Sequence, residues 1–282
     1  MRRIDVDEKL ARIHVDAVVK RIEQTYDKDK ILAKIKKIGM ASFKDFLMAD
    51  IKTMHNWVLN CPDDLQIPEF KRIYSQYFSN GVSNYVYGDY NVYKFLKLLD
   101  IAVCPYCDDE HLDIVIIKDK DKRTSEIDHF YPKTKYPALA MCIYNLVPSG
   151  QICNGLKLEQ IIEANPYDKR IEEKTFLYPD IPIGISMESV PPADCKIRFH
   201  PQGEMKSNVE LLGLEDRYKS YAPEVHRLLL NIQRYNDDKI QELIRMGMGT
   251  REDIISTVFG PQDPAEKKHT LRQKMLKDLT GY

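Results

Sequence analysis

Glu126-Ile127-Asp128-His129-Phe130-Tyr131-Pro132-Lys133 is the stretch on which the fold turns, and its neighbours decide how it is read. Upstream lie Cys104-Pro105-Tyr106-Cys107, the β-branched run Leu112-Asp113-Ile114-Val115-Ile116-Ile117-Lys118 and a charged turn over residues 119–123. That pattern predicts a strand leading into a second strand that ends at Asp128-His129. Downstream, Asn145-Leu146-Val147-Pro148 reads as a short strand, and residues 151–162 have helical spacing, with Asn154 and Lys157 three apart on one helix face. Side chains alternate along a strand, but where it runs out the backbone can turn two neighbours toward one cation. An Asp beside a His there offers a hard oxygen ligand and a base that titrates near neutral pH. Strand, strand and helix thus gather Asp128, His129, Asn145, Asn154 and Lys157 around one point. Phosphodiester hydrolysis asks for this set: a metal on the phosphate, a base for water and a cation nearby.

These residues resemble an HNH endonuclease, the ββα-metal nuclease family. The octapeptide above, Tyr136-Pro137-Ala138-Leu139-Ala140, Tyr144-Asn145-Leu146-Val147-Pro148-Ser149 and Cys153-Asn154 are similar to a bacterial HNH subgroup linked to anti-phage systems, including the Septu-type PtuB proteins. The likeness extends to Asn165-Pro166-Tyr167, to Leu212-Gly213-Leu214-Glu215-Asp216-Arg217-Tyr218 and to a closing helix over residues 271–279. It implies that His129 is the general base, that Asp128 and Asn154 are ligands of a catalytic magnesium or manganese ion, and that Asn145 braces the loop carrying the base. It gives Lys157, with Lys133 close by, to a phosphate. Magnesium or manganese suits an open set of oxygen ligands and one amide. The resemblance also implies a nucleic-acid substrate, DNA ahead of RNA, and an ATPase partner. The subgroup holds a structural zinc with two Cys-x-x-Cys pairs. Cys104 and Cys107 match the first pair, but Gly150 stands where the second pair needs a Cys, leaving Cys153. A tetrahedral zinc wants four ligands, so Cys142, His111, a water or an empty site all remain open.

The 282 residues are 43% hydrophobic, enough for one large or two modest domains with a real core. The formal charge of −1, from 42 basic and 43 acidic residues, is not that of a stand-alone nucleic-acid binder. Local patches can still meet phosphate: Lys118, Lys120, Lys122 and Arg123 share one turn, with Lys133, Lys135 and Lys157 near in sequence. Six cysteines, two of them in Cys-x-x-Cys, fit reduced thiols and a metal better than a disulfide scaffold. No apolar run is long enough to span a membrane and the first residues are charged, so the expected location is the cytoplasm.

Outward from the motif, residues 1–100 read as a helical arm. Val6, Leu10, Ile13 and Ala17 recur at helical spacing, with His14 expected at a surface or edge. Ser42 can cap a helix striped by Phe43, Leu47, Ile51, Met54 and Val58, and Trp57 is expected in the core. Pro68 suits a helix start and Gly81 its end, while the tyrosine-rich residues 85–93 fit core packing better than base stacking. The resemblance implies that residues 101–170 are the HNH module. Residues 171–282 form a mostly helical C-terminal region, with residues 178–192 irregular, a strand over residues 195–199 and Thr250 capping a late helix. The expected class is α+β, a small ββα-metal core in a mainly helical protein. Two rivals stand beside the nuclease. A zinc-dependent binding module with a decayed nuclease site draws support from Gly150. A zinc deaminase needs a His-x-Glu ahead of its Pro-Cys-x-x-Cys, which this sequence lacks.

Overall fold

The computed structural model describes residues 1–79, 90–181 and 184–282, with Lys120 described by its backbone alone. Helices dominate, joined by small two-stranded sheets, so the class is α+β. In chain order the elements are α1 (Glu8–Thr25), α2 (Lys28–Lys37), α3 (Phe43–Leu47), α4 (Ile51–Asn60), α5 (Pro68–Ile73) and α6 (Val92–Leu99), then β1 (Ile114–Ile117), β2 (Lys120–Arg123), β3 (Glu126–His129) and β4 (Leu146–Ser149). After these come α7 (Gln151–Lys157), β5 (Thr175–Asp180), β6 (Lys196–Pro201), α8 (Met205–Leu211), α9 (Leu214–Tyr218), α10 (Ala222–Arg234), α11 (Asp237–Arg245), α12 (Arg251–Phe259), α13 (Pro264–His269) and α14 (Gln273–Thr280).

Local chemistry sets many of these boundaries. Asp7, Asp27, Ser42, Asp50 and Asn91 each accept a hydrogen bond from a first-turn backbone N–H, satisfying a donor that the helix itself cannot. Thr250 and Asp253 close a reciprocal capping box at the start of α12. Pro68 opens α5 as expected. The proposed helix end at Gly81 and the tyrosines at 85 and 87 lie outside the described residues.

One apolar core gathers residues from Met1 to Met275, drawing on the N-terminal helices, the central strands and the C-terminal helices alike. Phe46 stacks on Trp57 with ring centres 5.5 Å apart, and both are buried. The expectation for His14 fails: the ring is fully buried, with Nδ1 2.7 Å from the Tyr90 hydroxyl and Nε2 2.7 Å from the Met141 carbonyl. Both partners are remote in sequence, so no local pattern could announce them. A smaller cluster, Ile240, Ile254, Ile255 and Phe259, holds α11 to α12.

Strand pairing also departs from expectation. β1 pairs with β2 through a two-residue turn, Lys118 and Asp119, both left-handed at φ 50° and 58°. Such turns match the twist of a hairpin, so the lysine-rich residues complete a separate ribbon instead of leading β1 to β3. β3 pairs instead with β4, antiparallel, with Asp128 opposite Val147 and His129 opposite Leu146. Likewise β5 pairs with β6, so ordered strand begins at Thr175 and reaches into residues read as irregular.

Candidate active site and a neighbouring cluster of metal-binding donors

The β3–β4 hairpin runs through Gly150 directly into α7, which packs back on β3. Asn145 fixes the loop between the strands. Its Oδ1 accepts the Tyr131 backbone N–H at 2.7 Å, and its Nδ2 donates to the Tyr131 and Leu139 carbonyls at 3.1 and 2.9 Å. A buried primary amide thus spends both ends on the backbone that follows His129.

His129 is 4% exposed, and its Nε2 lies 3.1 Å from the Ala140 carbonyl. A carbonyl oxygen only accepts, so Nε2 carries the proton and Nδ1 the lone pair. Nδ1 is buried and has no hydrogen-bond partner among the described residues. Tyr74 packs edge-on against the ring at 4.4 Å. Burial, and after it the Lys133 ammonium, holds the imidazole well below its ordinary pKa. The ring is therefore a neutral base with one unspent lone pair.

Asp128 is buried too, and both its oxygens are engaged. Oδ1 accepts from Lys157 Nζ at 3.1 Å and Oδ2 from the Tyr106 hydroxyl at 2.7 Å. Burial raises its pKa, while Lys157 and the tyrosine pull the other way. Lys157 is fully enclosed and its ammonium also donates to the His129 carbonyl at 3.0 Å. Its charge is thus directed inward onto Asp128 rather than outward to a phosphate. Lys133, half-buried, sits with Nζ 5.0 Å from the centre of the Tyr74 ring, and burial lowers its pKa. Asn154 lies on α7, one turn before Leu158, and is partly exposed. Of the residues that the sequence singled out, Asp128, His129, Asn145 and Lys157 are brought together by the structure. Sequence patterns missed Tyr106, whose only local signal was its place between two cysteines.

Next to this corner, Cys104, Cys107, Cys153 and Glu110 present donor atoms all within 4.8 Å of one another. These four can hold a metal such as zinc. Cys104 and Glu110 are joined by a tight loop in which Cys104 N donates to the Glu110 carbonyl and Asp108 N to the Cys104 carbonyl, both at 2.8 Å. Cys153 arrives from α7. Burial pushes the Cys104 thiol up to about 12, so in the absence of a cation it stays protonated. The candidates left open for the fourth position lie elsewhere: Cys142 Sγ hydrogen-bonds the Phe46 carbonyl at 3.4 Å, and His111 is exposed beyond the loop. Arg217 on α9 reaches the cluster, with Nη1 3.2 Å from Cys153 Sγ and Nη2 3.7 Å from Glu110.

The same loop ties in both ends of the chain. Arg2 pairs with Asp108, Tyr218 donates to the Cys107 carbonyl at 2.7 Å, and Arg272 binds Asp109 at 2.7 Å.

The chain is similar in part to a PtuB. A stretch of 100 residues, 35% of the chain, is 34% identical to the Septu protein PtuB of Bacillus thuringiensis. The match spans about a third of that PtuB's length, 34%. No family model matches the chain, and no solved structure does. No helix among the described residues is long and apolar enough to cross a membrane.

Proposed function

We propose that the chain is a metal-dependent HNH endonuclease that hydrolyses phosphodiester bonds in nucleic acid, DNA ahead of RNA, as the effector of a bacterial anti-phage defence system. The observation that carries this reading is His129: its Nε2 is spent on a carbonyl and its Nδ1, at the end of β3 beside Asp128, has no hydrogen-bond partner among the described residues. In this reading Nδ1 takes the proton of the attacking water, and the Ala140 carbonyl holds the ring while the imidazolium forms. Asn145 keeps the loop fixed, so the base stays put during the transfer.

Asp128 and Asn154 are the groups that would hold a magnesium or manganese ion, and the hard oxygens fit such an ion. When bound, it would supply Lewis-acid stabilisation of the phosphoryl oxygens and the leaving 3′ oxygen. A carboxylate oxygen accepts more than one partner, so Lys157 and Tyr106 leave lone pairs on Asp128. Phosphate contact falls to Lys133 at the half-buried edge, with Lys157 acting through Asp128. The partial likeness to PtuB supports the defence role and a second protein working alongside, for which an ATPase is proposed.

A second reading draws on the double engagement of Asp128: a binding module in which the Asp128–Lys157 pair is purely structural. The two separate in one experiment. Plasmid, single-stranded DNA and RNA are incubated with the full chain and magnesium or manganese, beside His129→Ala. The nuclease reading expects metal-dependent cleavage that falls about 10²–10⁴-fold in the variant while nucleic-acid binding persists. Binding without cleavage by the wild type would support the module instead.

A further inference from the structure

Gly150 is where the sequence lacks a ligand, and its surroundings explain what replaces it. A Cβ built on Gly150 would overlap the Glu110 carboxyl group, so the carboxylate occupies the space that a side chain at 150 would take. The carboxylate is held there from several sides. Arg217 Nη2 lies 3.7 Å from Oε2, and the Ile152 backbone N–H points to Oε1 at 3.4 Å. Cys107 Sγ stands 4.0 Å from Oε2. Glu110 comes from the same tight loop as Cys104 and Cys107, and Gly150 is the residue immediately before α7, which carries Cys153.

We infer that this chain binds a divalent metal of the zinc class through Cys104, Cys107, Cys153 and Glu110, with Glu110 filling the coordination position that residue 150 cannot. Each cysteine yields its thiol proton to solvent as its sulfur takes the ion. Three thiolates and a carboxylate overcompensate a divalent charge, and the Arg217 guanidinium, against Cys153 and Glu110, offsets part of the excess.

The centre has a mechanical consequence. It joins two elements that each send one hydrogen bond to Asp128: the Cys104–Cys107 loop through Tyr106, and α7 through Lys157, four residues after Cys153. Metal at this centre fixes α7 on β3 whether or not the neighbouring corner cleaves anything. The inference therefore stands apart from the nuclease reading.

The test uses the full chain loaded with cobalt(II) or zinc. The wild type is expected to bind one metal tightly at this centre, with tetrahedral cobalt bands of a mixed sulfur and oxygen site. Glu110→Ala should weaken binding by at least about 10–100-fold, the range already lost when an outer-shell partner is removed. Glu110→Gln, which keeps the volume, guards against an Ala variant that fails to fold. Glu110→Ala combined with Gly150→Cys should regain the affinity and shift the bands to a four-sulfur form. Hydrogen exchange in α7 should rise in Glu110→Ala and return to the wild-type level in the double variant. Glu110→Ala or Glu110→Gln binding cobalt with unchanged affinity and spectrum overturns the assignment. So does a double variant that gains nothing over Glu110→Ala.

Discussion

Two buried corners lie side by side, and they balance charge in different ways. At Asp128 the chain brings its own cation: Lys157, fully enclosed, sits 3.1 Å from the carboxylate. At Cys104, Cys107, Cys153 and Glu110 four donors converge with Arg217 at their edge. Removing any ion from water is costly, and an enclosed carboxylate survives as an anion only with a partner. At the first corner the carboxylate already has a protein cation beside it, whereas at the second burial pushes the Cys104 thiol up to about 12. The lysine thus balances the charge of the first corner, while the second would take its balancing charge from a bound metal.

Cutting the internal cation should do the most damage. Lys157→Met leaves Asp128 buried without its partner and should cost about 3–5 kcal/mol in urea denaturation. Asp128→Asn combined with Lys157→Met should recover most of that loss. A single variant as stable as the wild type would show that the pair adds nothing and would erase the contrast between the corners.

His14 offers a buried titratable group whose hydrogen-bond partners among the described residues are a hydroxyl and a carbonyl. Burial lowers its pKa from 6.5 to about 4. The unfolded chain therefore takes up the proton first as pH falls. The neutral ring's full contribution is present above about pH 6.5 and is lost down to about pH 4, a change of about 3 kcal/mol. His14→Gln should lack that part of the acid sensitivity. Equal slopes of stability against pH in the two proteins would contradict the enclosed neutral ring.

The smallest effect belongs to the guanidinium beside the cysteine cluster. Arg217→Ala should lower zinc affinity about tenfold, measured by competition with a chromophoric chelator, with no change in cobalt band positions. A shift in the bands would mean that Arg217 shapes the ligand set itself rather than its charge.

Much of the first corner was legible because its parts are local. Asp128 and His129 are adjacent, Asn145 and Leu146 mark the return strand, and Lys157 follows Asn154 by three. Pairing across the sixteen residues between His129 and Leu146 was not legible, since the lysine-rich run looked like a link to β3 and instead closed its own hairpin at Lys118 and Asp119. Glu110 was hidden for a similar reason. Its place in the cluster depends on the missing side chain at 150, forty residues later, and on how a helix start meets a loop. The burial of His14 rests on Tyr90 and Met141, equally remote. Residues joined by spacing can be read from spacing; residues joined by packing need the fold.

The proton assigned to His129 is tested most directly by chemical rescue. Single-turnover cleavage of supercoiled plasmid is measured with magnesium or manganese for the wild type and for His129→Gly, each with and without added imidazole. The account predicts a loss of about 10²–10⁴-fold in the variant, partly restored by imidazole in proportion to its neutral fraction, with no effect on the wild type. Cleavage by His129→Gly at the wild-type rate, unaffected by imidazole, would contradict it.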